Sequence, residues 1–201
     1  MPLDLAPDLT IALAQKAIDQ CARAVAQAPA QALAETARRL AQTLADGGSI
    51  FICGNGGSAS QAQHFAAEFV GRFLLERPAL PAVALTTDTS ILTAIGNDYG
   101  FEDIFARQVQ ALMKPGDVLW GLSTSGRSPN VLKALAAARA AGGLTLFMCG
   151  PQAPEGLAPD MLLTAPAPET PRIQELHLLY GHTLCQLVEH LIFAAPGNGR
   201  P

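Results

Sequence analysis

Val118-Leu119-Trp120-Gly121-Leu122 is an uninterrupted apolar run, and Ser123-Thr124-Ser125-Gly126-Arg127-Ser128 follows it directly. Strong helix formers come next, from Val131 through Leu135 to Arg139. A short buried strand, a small-residue turn and a helix in that order predict an α/β fold that can hold phosphate. Backbone N–H groups at a helix start have no intrahelical partner and carry the positive end of the dipole. Hydroxyls add donors, and Gly126 lets the backbone approach a ligand closely. Serine also caps helices with no ligand present. Four hydroxyl residues within six positions exceed what a cap requires and point to an anion.

The flanking sequence extends the pattern. With that first run included, strands are predicted at 49–53, 82–85, 117–121, 144–148 and 161–164. Helices are predicted at 58–74, 89–95, 101–112 and 128–141, with a long one from Pro171 to about Phe193. Before them, 9–27 and 30–45 read as two helices broken at Ala28-Pro29 and stopped by Asp46-Gly47-Gly48. Apolar strands alternating with helices imply a parallel sheet covered on both faces. The expected fold is α/β: a doubly wound three-layer sandwich with a five-stranded parallel sheet, preceded by an N-terminal helical pair within 8–46. Residues 1–195 are expected to form a single domain and 196–201 a flexible tail.

Half of the chain is apolar (49%) and only 15% is charged, the profile of a well-buried globule that also covers surface against copies of itself. A net charge of -4 with no basic cluster argues against nucleic acid as a partner. Acids stand near the start where a signal peptide needs Lys or Arg, and no apolar stretch reaches the ~18 residues of a membrane span. Cys21, Cys53, Cys149 and Cys185 form no C-x-x-C pair, and free buried thiols in a reducing, cytoplasmic setting are expected.

A second turn, Gly54-Asn55-Gly56-Gly57-Ser58, joins a strand to a helix but has neither dinucleotide-binding nor P-loop spacing. Beside the serine turn it gains weight, since two helix starts could converge on one polar ligand beyond the strand ends. His64 and Glu68, four apart, share a helix face, as an ordinary surface pair or as joint ligands of a metal or substrate. In the last helix Gln174 and His182 lie about 80° apart on one broad face, while His177 points roughly 140° from His182. His177 reads as structural or substrate-side and His190 as a surface residue. Gly181, in mid-helix, predicts close packing. Ile173, Leu176, Leu184, Leu187, Val188 and Leu191 form the helix's apolar face.

The residues Gly54-Asn55-Gly56-Gly57-Ser58, His64-Phe65-Ala66-Ala67-Glu68, Gly96-Asn97-Asp98-Tyr99-Gly100-Phe101, Ser123-Thr124-Ser125-Gly126 and Arg172-Ile173-Gln174-Glu175 together resemble the sugar isomerase (SIS) domain family, and within it the phosphoheptose isomerases. The resemblance implies conversion of sedoheptulose 7-phosphate to D-glycero-D-manno-heptose 7-phosphate through an enediolate, the first step of bacterial heptose synthesis for lipopolysaccharide. It implies a phosphate held by Ser123, Thr124, Ser125 and Ser128, with Ser58, Gly56 and Gly57 nearby, and sugar hydroxyls held by Asn55 and Asp98. His64, Glu68, Gln174 and His182 match a set that binds one zinc ion per subunit. Glu68 and His182 are also the implied acid/base pair. A homotetramer with sites near subunit interfaces is implied as well. The chain departs from the family pattern at Ala67, where some members carry a second acid, and at Pro171, where some carry Asp. Two alternatives remain at this stage. One is a non-catalytic SIS regulator of the replication initiator, which resembles this sequence but lacks the acid and the second histidine. The other is an isomerase of a different ketose phosphate.

Overall fold

The computed structural model describes residues 7–194, and the expected tail at 196–201 lies outside them. Within the described residues five strands form one fully parallel sheet in the order β2-β1-β3-β4-β5. They are β1 (Ile50–Gly54), β2 (Ala82–Ala84), β3 (Val118–Ser123), β4 (Leu144–Cys149) and β5 (Met161–Thr164). The central strands are apolar because both faces are covered. On β1, Ile50 and Ile52 join one core while Phe51 and Cys53 join the other, as the two-residue repeat of a strand requires.

Among the described residues seven α-helices build the outer layers: α1 (Pro7–Val25), α2 (Ala30–Ala45), α3 (Gly57–Val70), α4 (Thr89–Asp98), α5 (Ala106–Leu112), α6 (Pro129–Ala140) and α7 (Thr170–Glu189). Residues of α2, α3 and α7 share a core with Ile50, Trp120 and Leu146, whereas α5 and α6 cover the face of Phe51, Leu119 and Phe147. The three-layer, doubly wound reading holds, with the helical pair in front. Chain order reverses between neighbouring strands β1 and β3, so the turns after them flank one crevice.

Several boundaries differ from the sequence reading. The third helix stops at Val70 rather than Leu74, because Glu189 captures the N–H groups of Phe73, Leu74 and Leu75. The expected 101–112 helix is a 3-10 turn at Phe101–Asp103 followed by α5. The fourth helix runs on to Asp98, with Asp88 accepting from the Ile91 N–H at its start. The last helix loosens into a π-type turn over His190–Ala194. Cys53, Cys149 and Cys185 are buried free thiols as expected, but Cys21 is only half-buried. Burial pushes the Cys53 thiol up to about 12 and that of Cys149 up to about 11.

Candidate active site

The crevice between β1 and β3 is built from two turns that hold each other. Strand β3 runs on through Ser123, so the hydroxyl turn begins inside the sheet. Ser123 Oγ lies 2.8 Å from Ser128 Oγ and 3.5 Å from Ser125 Oγ, and it accepts from the Ser128 N–H at 3.4 Å. Ser125 Oγ accepts from the Arg127 N–H at 3.1 Å. Ser128 stands at the N-cap of α6, yet its side chain makes no capping bond. The hydroxyls thus face one another around the turn, and the simple cap is not what this serine forms. Ser123 is buried, Thr124 and Ser128 are half-buried, and Ser125 is exposed.

Across the crevice, Asn55 Nδ2 donates to Asn130 Oδ1 at 2.9 Å and Asn130 Nδ2 returns a bond to Asn55 Oδ1 at 2.8 Å. Asn130 is buried in the first turn of α6 and also accepts from its neighbour's N–H, that of Val131. Sequence reasoning missed it. The hint was an amide just after Ser128-Pro129, a position where a solvated polar residue would have served equally well.

Gly56 and Gly57 are exposed at the start of α3, and Ser58 is buried behind them. A Cβ on Gly57 would overlap the side-chain amide of Gln174, so the glycine is what lets α7 come this close. Gln61 Nε2 donates to the Gln174 carbonyl at 2.7 Å, a second tie between α3 and α7.

Farther along α3 the ligand atoms of His64, Glu68 and His182 lie within 4.8 Å of one another. His64 Nε2 is 2.7 Å from His182 Nε2 and 3.5 Å from Glu68 Oε1. His64 is exposed and the other two are half-buried, so the group opens to solvent. Two imidazole nitrogens and a carboxylate oxygen are a donor set that suits a divalent ion. The His182 ring is flanked by Phe73, with centroids 5.6 Å apart, and by the edge of Phe65 at 6.4 Å. Phe65 in turn stacks on Trp120 at 5.0 Å. A Cβ on Gly181 would run into the Phe65 ring, which bears out the close packing expected there.

Asp98 does not join this group. It is exposed at the end of α4, where Asn97 Nδ2 donates to it at 2.8 Å. His177 is buried, and its Nε2 lies 3.1 Å from the Cys149 carbonyl. A carbonyl can only accept, so Nε2 carries the hydrogen; the buried Nδ1 has no partner. Burial lowers its pKa to about 4 against the opposing pull of the carbonyl, which makes it a neutral structural histidine at pH 7. His190 is exposed as expected.

Comparison with known proteins agrees with this geometry. A family model described as SIS domain matches residues 15–146. The phosphoheptose isomerase of Nitratidesulfovibrio vulgaris (strain DSM 19637 / Miyazaki F) is 58% identical over 168 residues, 83% of this chain and 81% of that protein. That of Burkholderia pseudomallei (strain 1710b) is 50% identical over 190 residues, 94% of this chain and 87% of that protein. The solved phosphoheptose isomerase from Neisseria gonorrhoeae superposes with a TM-score of 0.82 at 42% identity, covering 91% of this chain and 98% of that one. Fold, motif order and these likenesses agree: the chain belongs to the SIS domain family, in its phosphoheptose isomerase branch.

Proposed function

We propose that this isomerase interconverts sedoheptulose 7-phosphate and D-glycero-D-manno-heptose 7-phosphate in the crevice between β1 and β3. The observation that carries the reading is the convergence of His64, Glu68 and His182 within 4.8 Å, on α3 and α7, the first of which starts at the glycine turn after β1. Ser123, Thr124, Ser125 and Ser128 hold the phosphate with the N–H groups of the α6 start, and Ser58, Gly56 and Gly57 close on it from the α3 side. That remote anchor orients C1 and C2 of the sugar. Asn55 reaches sugar hydroxyls while braced by Asn130. Asp98 takes part from its exposed place on α4.

Glu68 removes the C1 proton of the ketose, and the electron pair moves onto the C2 carbonyl oxygen to give the enediolate. A proton then returns to C2 while the O1 proton leaves, so that C1 becomes the aldehyde and C2 bears the hydroxyl. His182, beside Glu68 and His64, moves the protons between O1 and O2. His64, Glu68, Gln174 and His182 are the residues that would hold one zinc ion per subunit. When bound, such an ion would polarise the carbonyl and offset the negative charge of the enediolate. A non-catalytic SIS regulator has no use for an acid and a second histidine brought together in this way.

We infer that residues 1–195 act as one functional domain and that the chain assembles as a homotetramer. Leu9, Ile11, Leu13 and Ile18 on α1 and Tyr99 and Phe101 after α4 are exposed apolar side chains that a neighbouring subunit would cover. Its four unpaired thiols suit a reducing cytoplasm. Among the described residues no helix is long and apolar enough to cross a membrane.

The deciding experiment is an isomerase assay on a short panel of ketose phosphates, run with and without a chelator. Turnover of the seven-carbon substrate, lost in Glu68→Gln, is the expected result. An inactive wild-type protein would overturn the reading.

A further inference from the structure

We propose that Arg77 and Glu189 form a clamp that sets the register of α3 against α7 and thereby positions Glu68 and His64 opposite His182. The inference rests on the reading of those three residues as the reacting group.

Both side chains are only 2% exposed, and Arg77 Nε meets Glu189 Oε1 at 2.9 Å. Glu189 closes α7, seven residues beyond His182 and so two turns along nearly the same face. Its carboxylate collects three successive backbone donors from the strap after α3: the Phe73 N–H at 3.1 Å, Leu74 at 2.8 Å and Leu75 at 2.9 Å. Burial alone would raise the carboxyl pKa, but these donors and Arg77 outweigh it and hold it below the ordinary value, so Glu189 stays ionised.

Arg77 works on the other helix. Its Nη2 donates to the Glu68 carbonyl at 2.8 Å, and its Nη1 donates to the carbonyls of Phe69 at 2.9 Å and Pro78 at 3.0 Å. The carbonyls of Glu68 and Phe69 belong to the last turn of α3, where a helix leaves acceptors without partners and favours a cation. The guanidinium therefore grips the main chain of the proposed base itself. The strap held by Glu189 also carries Phe73, whose ring lies against His182.

Two charges buried together give little net stability over an apolar contact of the same volume. What this pair provides is direction. Four hydrogen bonds end on Glu189 and three more leave Arg77, linking the end of α3, the strap and the end of α7 at fixed distances. A displacement of the reacting groups by about 1 Å can cost on the order of 10²-fold in rate, so the register is worth holding.

The test compares wild type with Glu189→Gln, Arg77→Lys and Arg77→Met, each shown by circular dichroism to be folded at the assay temperature. The expected result is a fall in kcat of about 10- to 100-fold with KM changed by less than about threefold, since the phosphate anchor is untouched. Should Arg77→Met fail to fold, the two conservative variants decide. A folded variant with wild-type kcat, or one whose KM rises while kcat holds, overturns the clamp. A second readout is the ring NMR signals of the four histidines. Those of His64 and His182 should shift in Glu189→Gln while that of His177, facing β4, stays in place. Glu68→Gln is run alongside. If it keeps full activity, the reading of the site fails on its own account. The clamp is then judged by the histidine signals, which support it if His64 and His182 move and overturn it if they do not.

Discussion

Asn55 and Asn130 exchange two amide hydrogen bonds, 2.9 Å one way and 2.8 Å the other, across the crevice that separates the glycine turn from the serine turn. In the proposed site this pair sets where the phosphate and the sugar chain lie relative to each other. Asn130→Ala removes both bonds and leaves the half-buried amide of Asn55 without them, a loss of about 1–3 kcal/mol. The expected outcome is a rise in KM for the sugar phosphate of about tenfold with a smaller change in kcat, read by steady-state kinetics. An unchanged KM would show that the two turns are placed independently.

The serine turn is expected to act on binding. Ser123→Ala with Ser128→Ala removes both hydroxyls of the 2.8 Å pair. Hydrogen bonds to a charged group contribute about 1.5–3 kcal/mol each, so KM for sedoheptulose 7-phosphate should rise at least tenfold. The unphosphorylated ketose is the control. If the double variant also loses what little activity it has on that sugar, the turn does more than hold phosphate.

Metal content gives a separate line. Protein purified without chelator should carry about one zinc per subunit, measured by elemental analysis, as expected of a site with three or four protein ligands. His64→Ala with His182→Ala should abolish it. Zinc retained at the wild-type level in that variant would mean the ion sits elsewhere.

Gly181 gives a packing prediction. An added methyl group collides with the Phe65 ring, which is fully buried against Trp120. Overpacking of this kind costs about 1–3 kcal/mol, so Gly181→Ala should lower Tm by roughly 2–10 °C. Because Phe65 also edges His182, kcat should fall as well, and Phe65→Leu in the same chain should restore part of both.

His177 sets a pH dependence. Its folded pKa of about 4 lies below the ordinary 6.5, so the unfolded chain binds the extra proton throughout that interval. The stability it supports is therefore full above about pH 6.5 and is lost as pH falls through 4, by up to about 3 kcal/mol. His177→Gln keeps a donor for the Cys149 carbonyl and cannot titrate. Urea melts between pH 4 and 6.5 should show a flatter slope for this variant, and an identical slope would assign the acid sensitivity to other groups.

Much of this was legible in the residues because it is local or periodic. Apolar runs such as Val118 to Leu122 announced the strands, and Ala-Leu spacing announced α2 and α6. Even Gly181 spoke through its low helix propensity. What stayed hidden depends on partners far along the chain. The end of α3 at Val70 is decided by Glu189, more than a hundred residues later, and propensity alone carries Phe73 and Leu74 onward as helix. Asn130 has its meaning only beside Asn55. Asp98 shows the reverse: a residue prominent in a motif that the fold of a single chain leaves apart from the reacting group.

Ser128 stands at the start of α6 and spends its hydroxyl on Ser123, so that helix opens without a side-chain cap. In the proposed site the substrate's phosphate takes that place. Because α6 contributes Val131 and Leu135 to the core beneath β3, whatever completes its first turn also steadies that layer. With the phosphate held there as proposed, binding of the substrate would brace the fold as well as orient the sugar, and Tm should rise with the concentration of sugar phosphate.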